Sequence, residues 1–253
     1  MPEAPLILLS NDDGVAAPGL MALHAALGPV GEVHIVAPER EQSANSHSLT
    51  LHRPLRHRRV EPRIHAIDGT PADCVYVALY YEGMLPRRPS LVLSGINVGP
   101  NLGSDIHYSG TVAAAREGAL RGIPSIALSM CDGADLGLAA GTARDMASRL
   151  LSARPPDGPA PLLNVNFPAG TPRGVRVTSL GRRMYHDEVI ARLDPRGREY
   201  FWLGGPGHGN ELLEGSDTEA IEHGYVAVTA LLTDVTHGGH FELATWVARA
   251  EER

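Results

Sequence analysis

The sequence predicts a three-layer α/β protein with a Rossmann-like, mostly parallel sheet and a C-terminal appendage of β-hairpin and helix. Two observations carry this prediction. Short apolar runs ended by turn formers alternate with helix-length segments, and after about residue 168 the pattern changes to alternating, strand-like segments. We expect an α/β core that carries the chemistry over residues 1–170. An extension over residues 171–253 would close the fold and make subunit contacts.

The first elements follow from apolar runs and their boundaries. Leu6–Ser10 is short, apolar and ended by turn formers, as a buried strand is. Pro18–Leu27 is predicted as a helix, because proline suits a first turn and Gly28 follows the last residue. Glu32–Pro38 is the second predicted strand, and a polar loop follows it over Glu39–Ser48.

Strands and helices alternate less regularly in the middle of the chain. Residues 49–60 and 64–68 indicate strands or a hairpin outside the parallel core. A helix is predicted over Pro71–Tyr81, with Thr70 as its N-cap. Ser90–Gly95 is the third buried strand, and a long glycine-rich loop, Ile96–Gly110, follows it. A loop of that length inside a compact domain is usually functional.

Further strands and helices complete the predicted core. Thr111–Arg121 is an alanine-rich helix, residues 125–130 form a core strand, Leu136–Ala153 is a helix, and residues 162–167 form a strand. In the extension, "GVRVTSL" and "YVAVTALL" alternate like strands, with a glycine-rich segment between them. The segment "FELATWVARAEE", residues 241–252, is predicted as a helix.

Composition excludes several classes of protein. A formal net charge of −7 argues against a broad surface for duplex nucleic acid. The one basic stretch, His52–Val60, is predicted as an exposed strand, with attraction of an anionic ligand as the alternative. Cys74 and Cys131 lack metal-type spacing and favour a reducing cytoplasm. The first residues show no signal peptide, and no apolar run approaches the roughly 20 residues of a membrane span.

Polar loops follow the first three predicted strands. Asp12 and Asp13 follow the first, Ser43 lies in the loop after the second, and Asn97 follows the third. Ligands of open α/β sheets bind at the carboxyl ends of the strands, where these loops would meet. Carboxylate, hydroxyl and amide oxygens suit Mg²⁺ or Mn²⁺. The alternative for the acid pair is a solvated turn.

A phosphate site is predicted where the glycine-rich loop becomes a helix. Ser109, Gly110 and Thr111 lie at a helix N-terminus, which presents free N–H groups to an anion. The alternative is a plain N-cap. His47 and His107 are possible substrate contacts or proton donors, with surface or packing roles as the alternative.

Other chemistry-bearing residues carry weaker signals. His237 and His240 form a loose metal-type pair in a flexible glycine-containing stretch. Cys74 is expected to be a small core residue of its helix and not a nucleophile. The GxSxG, Walker A and GxGxxG patterns are absent from the sequence.

Several long motifs, in order, resemble the SurE family of stationary-phase survival proteins and 5'-nucleotidases. They are "LLSNDDGVAAPGL", "VAPEREQSANSHSLTLHRPL", "DGTPADCV", "LVLSGINVGPNLGSDIHYSGTVAAAREGALRGIPSIALS" and "LLNVNFP". The resemblance runs through nearly the whole chain. It implies a SurE-like fold and a metal-dependent phosphatase of nucleoside 5'-monophosphates. In some members 3'-nucleotides and short polyphosphate are also substrates, and a role in stress and stationary-phase survival is implied.

The resemblance also implies site residues and partners. One divalent metal ion per subunit, Mg²⁺ or Mn²⁺, would be held by residues matching Asp12, Asp13, Ser43 and Asn97. Substrate phosphate would lie near Asn101 and residues 109–111. Family members form homodimers or homotetramers in which the C-terminal part reaches a neighbour. We expect no membrane partner and no nucleic-acid duplex.

Phosphomonoester hydrolysis is therefore the first functional hypothesis, with Asp12 or Asp13 orienting or deprotonating the attacking water. A nucleotide or phosphate sensor that uses the same pocket without turnover is the alternative. An α/β glycosyltransferase that uses a metal and a nucleotide sugar is a third hypothesis, and the absence of a DxD pair counts against it.

Overall fold

The structure is a computed structural model that describes residues 3–154, 157–185, 188–203 and 208–248. Its strands are β1 (Leu6–Ser10), β2 (Glu32–Pro38), β3 (His57–Glu61), β4 (Ile64–Ile67), β5 (Leu91–Val98), β6 (Ser125–Met130), β7 (Leu162–Phe167), β8 (Val175–Thr178), β9 (Arg182–Tyr185), β10 (Val189–Leu193), β11 (Glu199–Leu203), β12 (His208–Glu211) and β13 (Val226–Leu231). Its α-helices are α1 (Pro18–Leu27), α2 (Pro71–Tyr80), α3 (Gly110–Leu120), α4 (Leu136–Ser152), α5 (Asp217–Glu222) and α6 (Phe241–Ala248). Two short 3₁₀ turns cover Gly103–His107 and Gly238–His240.

The central sheet has the strand order β3-β4-β2-β1-β5-β6-β7-β13-β8. The strands from β4 to β7 in this order run parallel, while β3 and β13 run antiparallel to β4 and β7. A mostly parallel sheet needs helices on both faces. The predicted Rossmann-like, mostly parallel fold is therefore confirmed.

Apolar clusters on both faces of the sheet make the three layers. On one face, α1 and α4 pack onto the sheet through leucines of α1 and alanines of α4, among them Leu20, Leu23 and Ala143. On the other face, α2 and α3 cover β1, β2 and β5, with Cys74 and Val75 inside the cluster. Burial raises the pKa of the Cys74 thiol well above its ordinary value, in keeping with its predicted place in the core.

The prediction for residues 49–68 was partly wrong. β4 lies within the parallel part of the sheet, because it pairs in parallel with β2, and β3 forms the antiparallel edge beside it. Residues Ile64–Ile67 are all buried, so this short run behaves as a core strand and not as an outer hairpin. β3 is exposed along its whole length, as predicted for the basic stretch, although the strand begins only at His57.

The region after residue 170 contributes directly to the sheet. The predicted strands of "GVRVTSL" and "YVAVTALL" contain β8 and β13, and β13 joins β7. The intervening segment, predicted only as glycine-rich, forms two further antiparallel pairs, β9 with β12 and β10 with β11. The predicted last helix is observed as α6, and residues 249–252 of that prediction lie outside the described residues. The boundary near 170 and a role in subunit contacts stay predictions.

Local signals account for the helices that border the site. α2 begins with a capping box, in which the Thr70 hydroxyl accepts from the Asp73 N–H at 3.1 Å and Asp73 Oδ2 accepts from the Thr70 N–H at 2.9 Å. α3 begins after Ser109, whose hydroxyl accepts from the Val112 N–H at 3.1 Å. None of the helices in the described part of the chain is both long and apolar enough to span a membrane.

Candidate active site

The three polar loops meet because their strands are neighbours. β1 lies between β2 and β5, and all three run parallel, so their carboxyl ends share one edge of the sheet. Backbone contacts join the loops there. The Gln42 N–H donates to the Asp12 carbonyl at 2.7 Å, and the Val98 N–H donates to the Asp13 carboxylate. The loops predicted to meet at one edge therefore do so.

Asp12 is the more buried and more firmly held acid of the pair. Its side chain is 5% exposed and accepts from the Thr111 hydroxyl at 2.5 Å and from the Thr111 N–H. Gly110 packs against it so closely that an added Cβ would lie 2.8 Å from Asp12 Cβ. Burial raises the pKa of Asp12, and the Thr111 hydrogen bonds only partly oppose that effect.

Asp13 is half-buried and carries the more accessible carboxylate. Burial, the neighbouring Asp12 and Glu41 raise its pKa from 3.8 to about 6. The turn that follows the pair is built by Gly14, whose φ of 103° lies in the left-handed region, and the Asn11 amide closes it by donating to Gly14 O at 2.9 Å. The two carboxylates are thus held close together without enough nearby positive charge to balance their negative charge.

The two predicted neutral ligands lie in the adjoining loops. Asn97 lies at the end of β5, and its side-chain N–H donates to Gly99 O at 2.6 Å. Its side-chain oxygen is therefore the atom that remains for a cation. Ser43 is exposed, and its hydroxyl donates to Glu41 Oε1 at 2.8 Å, which leaves its oxygen lone pairs as acceptors. That all four side chains bind one metal ion stays a prediction.

The donor set fits a hard divalent cation. Two carboxylates with raised pKa values mark a place where negative charge lacks compensation, and a bound cation would supply it. Within residues 3–154, 157–185, 188–203 and 208–248, no group of three or more His, Cys, Asp and Glu side chains is placed to hold a metal. A cation at the acid pair would therefore need serine or asparagine oxygens as well. His237 and His240 stack their rings, with centroids 4.1 Å apart, on the exposed surface.

Asn101 is fixed by polar residues that sequence reasoning missed. Its N–H donates to Asn166 Oδ1 at 2.8 Å, and its carbonyl accepts from the Asn164 and Asn166 amides at 2.8 and 3.0 Å. Its own amide donates to Ser129 Oγ at 2.8 Å. The signal was present in "LLNVNF", where two asparagines interrupt an apolar strand and must find partners once buried.

Two residues of the predicted phosphate turn make contacts within the protein. Ser109 acts as the N-cap of α3, which was the alternative considered for it. Thr111 contacts Asp12, so it supports one of the predicted metal ligands. Contacts of Asn101, Ser109, Gly110 and Thr111 with a phosphate group stay predictions.

The two candidate histidines have different surroundings. His47 Nε2 lies 2.9 Å from Glu117 Oε2, and that carboxylate is almost fully buried. The backbone of His107 accepts a hydrogen bond from the Ser46 hydroxyl at 2.6 Å, while its side chain is exposed. Substrate contact by either side chain stays a prediction.

A cavity of about 420 Å³ opens beside the second loop. It is bounded by Glu39, Arg40, Gln42, Arg53, Ile67 and Asp68. Gln42 joins this cavity to the acid pair, because its backbone N–H is bonded to Asp12.

Comparisons with known proteins show the family of the chain. A family model described as "Survival protein SurE" matches residues 7–187. The chain is 56% identical over 247 residues to the 5'-nucleotidase SurE of Sorangium cellulosum (strain So ce56), covering 96% of each chain. It is 49% identical over 245 residues to the 5'-nucleotidase SurE of Myxococcus xanthus (strain DK1622), covering 95% of this chain and 92% of that protein. The crystal structure of the SurE protein from Aquifex aeolicus is similar with a TM-score of 0.84 and 38% identity, over 97% of this chain and all of that one.

Proposed function

Because the chain belongs to the SurE family, we propose that it is a 5'-nucleotidase that hydrolyses nucleoside 5'-monophosphates to nucleoside and phosphate with a bound divalent cation. The observation that carries the proposal is the acid pair Asp12–Asp13, held where three strand-end loops meet and short of positive charge. A phosphate monoester brings further negative charge to the same place, so it can bind there only together with a cation.

Mg²⁺ or Mn²⁺ would be held by Asp12, Asp13, Ser43 and Asn97, one ion per subunit. When bound, such a cation neutralises charge on the phosphate and lowers the pKa of water. The chain's own residues supply the rest. Thr111 keeps Asp12 in place, whereas Asp13 is half-buried and can orient the attacking water.

The phosphate group would lie between the N-terminus of α3 and the loop of Asn101. The first turn of a helix presents N–H groups that favour an anion, and Gly110 lets the chain approach the acids closely. Hydrogen bonds with Asn164 and Asn166 hold the backbone of Asn101, so its position is set before substrate binds.

The nucleoside would occupy the cavity of about 420 Å³ beside Gln42, which is large enough for a base and ribose. Ile67 offers an apolar contact, and Arg53 offers a planar cation on which a base can stack. We include 3'-nucleotides and short polyphosphate among the substrates to be screened.

We also propose that the chain acts as a homodimer or homotetramer in the cytoplasm. α6 exposes four large apolar side chains, which supports burial against another subunit. They are Phe241, Leu243, Trp246 and Val247. Light scattering coupled to size exclusion tests the oligomer, and a dilute, active monomer would contradict it.

The activity is tested by phosphate release from AMP and GMP with Mn²⁺ or Mg²⁺, with and without EDTA. We expect EDTA to abolish turnover and Asp12→Asn to reduce it by at least about 100-fold, since the variant loses a charged ligand. The matched control is Asp145→Asn, which changes an exposed aspartate that pairs with its neighbour Arg144. Activity that survives both EDTA and Asp12→Asn would contradict the proposal, and nucleotide binding without phosphate release would indicate a sensor.

A further inference from the structure

The loop that carries Ser43 has an unfavourable backbone conformation. Ala44 and Ser46 adopt φ values of 58° and 53°, in the left-handed region that residues with a side chain rarely occupy. A loop with two such residues so close together does not hold its shape by itself. Contacts with the rest of the protein must hold it.

Two hydrogen bonds of Ser46 hold the loop at its middle. The Ser46 N–H donates to Tyr108 O at 3.0 Å, and the Ser46 hydroxyl donates to His107 O at 2.6 Å. Both acceptors lie in the turn immediately before Ser109 and α3. The strained part of the loop is therefore tied to the segment that leads into α3.

The end of the loop is attached to the first turn of α2. The Thr70 hydroxyl donates to Ser48 O at 2.7 Å, and the Thr50 N–H donates to Asp73 Oδ1 at 2.8 Å. Since Thr70 and Asp73 also form the capping box of α2, this attachment is rigid. Between the two attachments lies His47.

His47 is the side chain of this stretch that reaches into the protein. Its Nε2 lies 2.9 Å from Glu117 Oε2, and the other oxygen of Glu117 accepts from two nitrogens of Arg121, each at 2.8 Å. Arg121 in turn lies over the rings of Tyr76 and Tyr80, at 5.3 and 5.6 Å from their centroids. Arg121, itself held over the two tyrosines, thus fixes the oxygen of Glu117 that His47 does not contact.

The Glu117 side chain is only 2% exposed, yet its carboxylate faces two hydrogen-bond donors. Burial alone would raise its pKa, but the hydrogen bonds from His47 and Arg121 outweigh burial and hold the pKa below its ordinary value. A buried carboxylate keeps its charge only while its partners stay in place, and hydrogen bonds to a charged acceptor are the stronger kind.

We propose that Glu117 is a positioning residue that holds the loop of Ser43 on α3 through His47, and so sets the metal affinity of the acid pair. The inference rests on the proposed metal site. α3 carries both supports, because Thr111 in its first turn fixes Asp12 and Glu117 further along fixes the loop. One helix then sets the spacing between the carboxylates and the Ser43 oxygen.

The test compares His47→Leu, which removes the donor and keeps the bulk, with His47→Gln, whose amide nitrogen can stand where Nε2 stood. Mn²⁺ binding is measured without substrate, by electron paramagnetic resonance of the free ion. We expect roughly tenfold weaker binding for His47→Leu, the effect of losing one hydrogen bond to a charged group, and affinity within about threefold of the unchanged protein for His47→Gln. The matched control is His52→Leu, a change of an exposed histidine nearby, and it should leave Mn²⁺ binding unchanged.

A second measurement separates positioning from general destabilisation. Hydrogen–deuterium exchange should speed up in a peptide covering residues 42–50 of His47→Leu, at the Ser46 and Thr50 amides, and stay unchanged in peptides from β1 and β6. Glu117→Gln should show the same local change. Faster exchange throughout the protein would overturn the proposal, because it would indicate a merely structural role.

The failures of the two proposals can be told apart. If Asp12→Asn leaves Mn²⁺ binding intact, the proposed metal site is wrong, and the link from the loop to metal affinity falls with it. If Asp12→Asn abolishes binding while His47→Leu binds like the unchanged protein, the metal site stands and the positioning role of Glu117 is wrong.

Discussion

Replacing Asp13 by asparagine should stabilise the metal-free protein. A carboxyl pKa of about 6 in place of 3.8 means that keeping Asp13 ionised in the folded state costs free energy. The full difference between the two pKa values corresponds to about 3 kcal/mol. Since Asp13 is half-buried, screening by solvent reduces that cost to about 1–2 kcal/mol. For a chain of 253 residues this corresponds to a rise in Tm of roughly 2–4 °C.

The sign of the pH dependence follows from the raised pKa. Stability contributed by protonated Asp13 is fully present below about pH 3.8 and is lost as the pH rises through about 6. Asparagine has no proton to lose. The advantage of Asp13→Asn should therefore be largest at pH 7.5 and fall to about a third of that value at pH 4.5, which thermal unfolding in EDTA at both values measures.

Adding Mn²⁺ should make the unchanged protein more stable than Asp13→Asn. At a concentration of 100 times Kd, a bound ligand stabilises the unchanged protein by about 2.7 kcal/mol, and Asp13→Asn should gain far less. Asp145→Asn serves as the control and should follow the unchanged protein throughout. An Asp13→Asn protein that melts lower than the unchanged protein in EDTA at pH 7.5 would refute the reasoning, as would a difference independent of pH.

Three further outcomes follow from the same geometry. Gly110→Ala should lower kcat/KM for AMP at least about tenfold, because its Cβ would displace Asp12, and undiminished activity would contradict the close packing. Thr111→Val removes the hydroxyl that donates to Asp12, so the acidic limb of the pH–rate profile should move to higher pH; an unmoved limb would show that this bond does not matter. Cys74, fully buried with a raised thiol pKa, should resist a thiol reagent such as DTNB until the protein is unfolded, and rapid labelling of the native protein would refute its place in the core.

The edge of the sheet at which the acid pair lies could be predicted because the rule involved is local. Each strand ends where an apolar run stops, and the carboxyl ends of neighbouring parallel strands meet whatever lies between them in sequence. That rule was enough to bring together the loops that carry Asp12, Ser43 and Asn97. It could not say how each side chain is turned, as the hydrogen bond from Ser43 to Glu41 shows.

Strand β4 was misplaced because pairing decided its environment. Ile64–Ile67 is four residues long, too short for periodicity to separate a core strand from an outer hairpin. Its burial comes from pairing with β2 on one side and β3 on the other, and both partners are chosen by the tertiary fold. The adjoining basic stretch led to the prediction of an outer position for both strands, but β3 is exposed and β4 is buried.

Helix α3 shows what kind of information the sequence held and what kind it lacked. Its alanine-rich pattern predicted a helix, and nearly every residue from Gly110 to Ala119 is buried. A glutamate in such a helix must meet a cation or hydrogen-bond donors, because a buried carboxylate without partners is too costly. The sequence thus implied that Glu117 has partners of positive charge or with N–H or O–H donors. Arg121 lies four residues further along, at the end of the same helix, where it can reach Glu117. The other partner, His47, is 70 positions distant, and only the fold brings it to Glu117. Contacts between residues so far apart in the sequence couple the loop of Ser43 to the helix that supports Asp12. Local sequence patterns cannot predict such contacts.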